Sequence, residues 1–148
     1  MILDAVGPRL SFAAWAPMER NQWIAESLEV VRPLLKAPLP TPAPDAPGAF
    51  AFSDPERVQR ILNAAGWRDV ECELWEGPLG LPAKMPEETP EEIARFLSAI
   101  GPAGRIATKQ GVDPDAVVNA LAERYRANLE RDGELVVQGA SWIVTARG

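Results

Sequence analysis

The sequence predicts an α/β fold built on a three-stranded sheet with about four helices, and three observations carry that expectation. An apolar, weakly alternating run, Arg9-Leu10-Ser11-Phe12-Ala13-Ala14-Trp15, stands near the start and a second, Ala140-Ser141-Trp142-Ile143-Val144-Thr145-Ala146-Arg147, at the end. Both read as strands covered on both faces, the kind found inside an α/β sheet. Between them, 69–75 alternates cleanly, Val70, Cys72 and Leu74 against Asp69, Glu71 and Glu73, as a strand with one dry face does. The intervening segments carry helical spacing opened by capping signatures. The first strand looks central, yet only Met1 to Pro8 precedes it. That is too short for a pairing strand and a crossover helix, because a βαβ unit needs about 30 residues.

The first strand ends at Ala16-Pro17, and Asn21 can cap a helix with Trp23, Ile24, Leu28, Val31 and Leu35 on one face. Pro33 should kink or end that helix early. The proline-alternating stretch 37–48 favours extended polyproline II and reads as a stiff connector on the surface. Ser53-Asp54-Pro55-Glu56 starts the next helix, with Ser53 as the expected cap and Glu56 as its capping-box partner. Val58, Ile61, Leu62 and Ala65 share its face, Gly66 supplies a left-handed C-terminal turn, and Trp67 seals it. After the 69–75 strand, 77–86 reads as a turn-rich link.

Thr89-Pro90-Glu91-Glu92 repeats the capping-box pattern ahead of Ile93, Phe96, Leu97 and Ile100, and Gly101-Pro102 stops that helix. A weakly helical 103–110 follows. Asp113-Pro114 then opens the longest helix, with Val117, Leu121, Tyr125 or Arg124, and Leu129 inward and its many charges on a solvated face. The chain closes with Glu134-Leu135-Val136-Val137 and then 140–147, either one strand or two separated by Gln138-Gly139.

At 148 residues and 47% hydrophobic, the chain is sized for one domain, 1–148. A net charge of −6 without a Lys/Arg cluster argues against nucleic acid as a partner. No apolar run approaches the ~20 residues that span a bilayer and no signal peptide opens the chain, so the expectation is a cytoplasmic protein without membrane contact. Histidine is absent and Cys72 is the single cysteine. This removes imidazole-based triads, imidazole metal sites, an internal disulfide and a thiolate zinc site, so no metal is expected. Cys72 itself reads as an inert inward thiol. The densest acidic group, Glu87-Glu88 with Glu91-Glu92, lies at a helix start, where the macrodipole favours it, and supports no carboxylate hydrolase. Tyr125 and Lys109 have no partner visible in the sequence.

Five stretches taken together resemble the C-terminal half of a class I S-adenosylmethionine-dependent methyltransferase: Gly7-Pro8-Arg9-Leu10-Ser11-Phe12-Ala13-Ala14-Trp15, Asn21-Gln22-Trp23, Phe52-Ser53-Asp54-Pro55-Glu56-Arg57, Ala64-Ala65-Gly66-Trp67-Arg68-Asp69-Val70, and the closing strand. The resemblance covers nearly the whole chain. It implies a partial Rossmann-like methyltransferase fold in which Arg9 to Trp15 is the fifth strand, 69–75 the sixth and 140–147 the seventh, antiparallel one. Together they would form a three-stranded mixed sheet of order 5-7-6, with 53–65 as crossover helix and 78–133 as a mainly helical insertion. The family holds its cofactor with a glycine-rich turn and an acidic residue in the half that has no counterpart here. The chain contains no G-x-G, so no cofactor-binding residue is assigned and the isolated chain is expected to be inactive.

Two functional readings follow. In one, another polypeptide supplies the missing half, S-adenosylmethionine is the cofactor of the assembled enzyme, and Trp15, Asn21 and Trp23 line a substrate pocket at the carboxyl edge of the sheet. The plainer account of those three residues makes the tryptophans hydrophobic anchors and Asn21 a helix cap. In the other reading the chain is a non-catalytic self-associating or protein-interaction module. It forms a homodimer by antiparallel pairing along the edge of Arg9 to Trp15, since an apolar strand without a neighbour is a template for another.

Overall fold

The computed structural model describes residues 7–41, 43, 46–80, 89–133 and 135–148. The elements run β1 (Arg9–Trp15), α1 (Gln22–Val31), α2 (Pro55–Ala64), β2 (Arg68–Gly80), α3 (Pro90–Ile100), α4 (Pro102–Lys109), α5 (Pro114–Asp132) and β3 (Val136–Arg147). Short 3-10 turns lie at Met18–Arg20 and Arg32–Leu34. Among the described residues the fold is thus mixed α/β, with a three-stranded antiparallel sheet and five α-helices. The strand order is β1-β3-β2, the expected order with the last strand in the middle. The expected mixed sheet is corrected: each neighbouring pair includes β3, which leaves no parallel pair.

The chain divides into two compact units: one of Met1–Arg20, Ala43–Gly77 and Ala140–Gly148, the other of Asn21–Pro42 and Pro78–Gly139. One passage between them falls within the proline-rich connector; the connector's described residues form neither helix nor strand.

In the first unit, β1 pairs antiparallel with β3 in the register Leu10↔Ala146, Phe12↔Val144 and Ala14↔Trp142. Cross-strand partners share a face. Phe52 packs on Phe12 with ring centroids 6.2 Å apart, and the Trp142 indole N–H donates to the Ser53 carbonyl at 2.8 Å, so the entry to α2 is fastened to that face. Asp54, not Ser53, caps α2, accepting from the Glu56 N–H at 3.0 Å. Pro55 at the first helical position fixes the cap one residue before it. The helix closes as expected: Gly66 (φ 92°) donates to the Asn63 carbonyl and Trp67 to the Leu62 carbonyl, a Schellman turn.

Two expectations for the strands are corrected. β1 is covered on one face only, with Arg9, Ser11 and Ala13 exposed and Leu10, Phe12 and Ala14 half-buried. β2 does not stop at Trp75 but continues through Pro78 to Gly80. β2 stands at an edge of the sheet, where a missing N–H is tolerated, and Leu79 lies over Gly139, filling the space a Cβ there would need. The rest of the expected link, 81–86, lies outside the described residues. β3 is one unbroken strand, with Gln138 and Gly139 inside it.

The second unit is built from α1, α3, α4 and α5, which pack against one another. Pro33 ends α1 at Val31 and turns the chain into a 3-10 turn. The capping box of α3 is present: Glu92 N–H donates to Thr89 Oγ1 at 3.3 Å, and Thr89 N–H to Glu92 Oε2 at 2.9 Å. Its buried face is Ile93, Ala94 and Leu97, whereas Phe96 and Ile100, expected inside, are about half exposed. α5 buries Val117, Val118, Leu121, Ala122, Tyr125 and Asn128, and Leu129 faces outward. α4 crosses α3 so closely that a Cβ on Gly104 would land on the Ser98 carbonyl. Among the described residues, no helix is long and apolar enough to cross a membrane.

A buried polar link ties α1 to α5. Ser27 Oγ donates to the Trp23 carbonyl at 2.6 Å and lies 3.3 Å from Tyr125 Oη. The single serine proton is used by the carbonyl, so Tyr125 must be the donor to Ser27. Tyr125 is 1% exposed, and burial pushes its phenol pKa up. Removing the tyrosine hydroxyl therefore loses one ordinary hydrogen bond, whereas removing the serine strands a buried hydroxyl. In urea denaturation, Tyr125→Phe is expected to cost about 1 kcal/mol and Ser27→Ala about 2 kcal/mol. A larger cost for Tyr125→Phe would contradict this donor assignment.

Candidate functional site

The free edge of β1 is set by two bonds that bracket the strand. Gly148 N–H donates to the Pro8 carbonyl at 2.8 Å, and Ala16 N–H to the Ala140 carbonyl at 3.1 Å. In an antiparallel ladder, hydrogen-bonded pairs alternate with non-bonded ones. Positions 8 and 16 fix the parity, so residues 10, 12 and 14 turn their peptide groups toward β3. Arg9, Ser11 and Ala13 turn theirs outward. Among the described residues β1 lies at the end of the strand order, so these groups form an open sheet edge.

At the carboxyl end of this edge lies a cleft of about 540 Å³, lined by Ala13, Trp15, Ala49, Phe52 and Ser141 among others. Its size lies within the range of small-molecule sites, roughly 300–1,000 Å³. Trp15, half-buried, gives the cleft an aromatic wall. Of the other two expected substrate contacts, Asn21 is fully buried and Trp23 is 9% exposed, both at the start of α1 in the second unit. Asn21 occupies the cap position of α1, but its side chain makes no capping hydrogen bond, which corrects the expectation that capping accounts for it. Trp23 packs beside Gly101, where its ring would sit 3.7 Å from a Cβ.

At the other end of the sheet, Arg9 and Arg147 stand directly opposite each other, a pairing of like charges. Asp69 and Glu71 line the same polar cleft and balance them in number. Arg68 donates to the Gly148 carbonyl at 3.0 Å. The acidic group near α3 is structural where it is described: Glu92 completes the capping box and Glu91 pairs with Arg126. Glu87 and Glu88 lie outside the described residues. Cys72 is half-buried, and desolvation raises its pKa, which keeps the thiol protonated at neutral pH. Tyr125 finds a partner the sequence did not reveal, Ser27, because the two meet only through the packing of α1 on α5.

The parity of β1 makes a sharp prediction. Proline at an outward-facing position removes an N–H that the ladder does not use, whereas proline at an inward-facing one breaks the sheet. Ser11→Pro is expected to change stability by less than about 1 kcal/mol and Phe12→Pro to cost about 3 kcal/mol or more, measured by chemical denaturation. The opposite ranking would show the register to be shifted. Compared with protein-family models and with curated proteins, the chain matches none.

Proposed function

We propose that this chain is the distal half of a class I methyltransferase-like fold, unable to bind S-adenosylmethionine alone and completed by a strand from another polypeptide on the β1 edge. The observation that carries the reading is the order β1-β3-β2, with the C-terminal strand inserted antiparallel between two strands of earlier sequence. That order matches the 5-7-6 end expected of a methyltransferase sheet, and the outward peptide groups of Ser11 and Ala13 face the side on which a fourth strand would pair. The cleft at Trp15 stands at the carboxyl end of β1, where open α/β sheets hold ligands, and would receive the methyl acceptor. A cytoplasmic setting belongs to the same reading, since a lone protonated thiol needs no oxidising compartment.

A second reading is favoured by the chemistry of β1 itself. Two copies pairing antiparallel about Phe12 would set Arg9 of each across from Trp15 of the other, a cation against an aromatic face. Arg9 is the single charge on β1, so no like charges meet. Two experiments separate the readings. Calorimetric titration of the isolated chain with S-adenosylmethionine is expected to show no saturable heat, and micromolar binding would overturn the first reading. Light scattering at micromolar concentration tests the second: a dimer that Ser11→Pro dissociates supports it, and a strictly monomeric wild-type chain sinks it.

A further inference from the structure

Away from the sheet, α3, α4 and the first turn of α5 enclose a groove of about 480 Å³ in the second unit. Two helices present the same short pattern to it, Arg95-x-x-Ser98 on α3 and Arg105-x-x-Thr108 on α4, and Lys109 follows directly. Residues three apart share a helix face, so each helix offers a guanidinium and a hydroxyl together. The close approach at Gly104 brings the two helices together here. Beneath the polar rim the floor is apolar: Val118 is 6% exposed, and Gly104 is buried.

The charge of this groove runs against that of the molecule. The chain carries −6 overall, yet three cations line the groove and Asp115 is the only acid among its lining residues. Arg95, Arg105 and Lys109 have no ion-pair or hydrogen-bond partner among the described residues, whereas Arg20, Arg126 and Arg131 each pair with a carboxylate. Keeping three like charges together costs energy unless an anion offsets them. The cleft at the sheet end differs in its charge balance, because Asp69 and Glu71 line it beside Arg9 and Arg147.

We propose that the groove binds a small phosphate-bearing molecule with an apolar body. Two guanidinium forks, an ammonium and two hydroxyl donors suit the several oxygens of a phosphoryl group, whereas a lone carboxylate is satisfied by one arginine. The apolar floor accommodates the rest of the ligand. A polyanion such as nucleic acid would meet the repulsion of the remaining acidic surface and find only three cations.

The test is a chemical-shift titration of the whole chain with phenyl phosphate and, separately, with inorganic phosphate. The amides of Ser98, Gly104 and Thr108 are expected to shift saturably with both, and phenyl phosphate should bind about tenfold more tightly because its ring is buried on the floor. In the exposed double variant Arg95→Gln/Arg105→Gln, phenyl phosphate affinity should fall about tenfold or more. Shifts confined to other regions, no saturation at millimolar ligand, or equal affinity in the double variant would each overturn the proposal. Equal affinity for the two ligands would overturn the apolar body.

Discussion

The pairing of β1 with β3 is the constraint on which the first unit depends. It joins segments from opposite ends of the described chain, and no local turn helps it form. Such a contact is slow to find and pays the loop-closure entropy of nearly the whole chain before its ladder bonds compensate. Once formed, it dictates the rest of the unit. Leu10, Phe12 and Ala14 turn to the face that Trp142 and Val144 share, and the Trp142 indole holds the entry of α2 there. The same parity sends the peptide groups of Ser11 and Ala13 to the open side. A structural requirement of the core thereby fixes the chemistry of the edge.

The second unit rests on different physics. Its helices are stopped and started by backbone devices, Pro33 after α1, the Thr89–Glu92 capping box before α3, and the Gly101-Pro102 break between α3 and α4. What orients α1 against α5 is partly polar: Ser27 with Tyr125, and Asn128 donating to Glu26 at 3.4 Å. Gln110 then clasps both peptide groups of Ala37, fastening the start of the proline-rich connector to the end of α4. The Ser27–Tyr125 link is the buried one, and a buried polar link constrains the packing geometry more narrowly than apolar contact alone.

Much of this was legible in the residues. The Schellman turn at Gly66-Trp67 and the capping box at Thr89 were readable because each depends on neighbours within one turn. The strand order was expected only through the resemblance to a methyltransferase half, since nothing in the segments themselves says which strand stands in the middle. The one-sided exposure of β1 was not, since Ser11 and Ala13 are small enough to stand on a dry or a wet face. The cap of α2 was misplaced because Ser53 and Asp54 are both good caps, and Pro55 decides between them. Gly77-Pro78 read as a turn, because nothing local reveals that β2 is an edge strand with Gly139 beneath Leu79. Of the candidate site, Trp15 was recognisable as an aromatic at a strand end. The burial of Asn21 and the groove around Arg105, where the consecutive helices α3, α4 and α5 cross, arise from tertiary packing that no local pattern shows.

The central claim is that β1 presents a free edge whose outward peptide groups are there to be paired. Amide hydrogen exchange along β1 measures this directly. In the dilute chain, Phe12 and Ala14 should exchange slowly while Ser11 and Ala13 exchange fast. When a second strand docks, from another copy or a complementary chain, Ser11 and Ala13 should slow by roughly a hundredfold or more. Equal protection of all four amides in the monomer, or fast exchange at Ser11 and Ala13 that persists in the assembled state, would contradict the account.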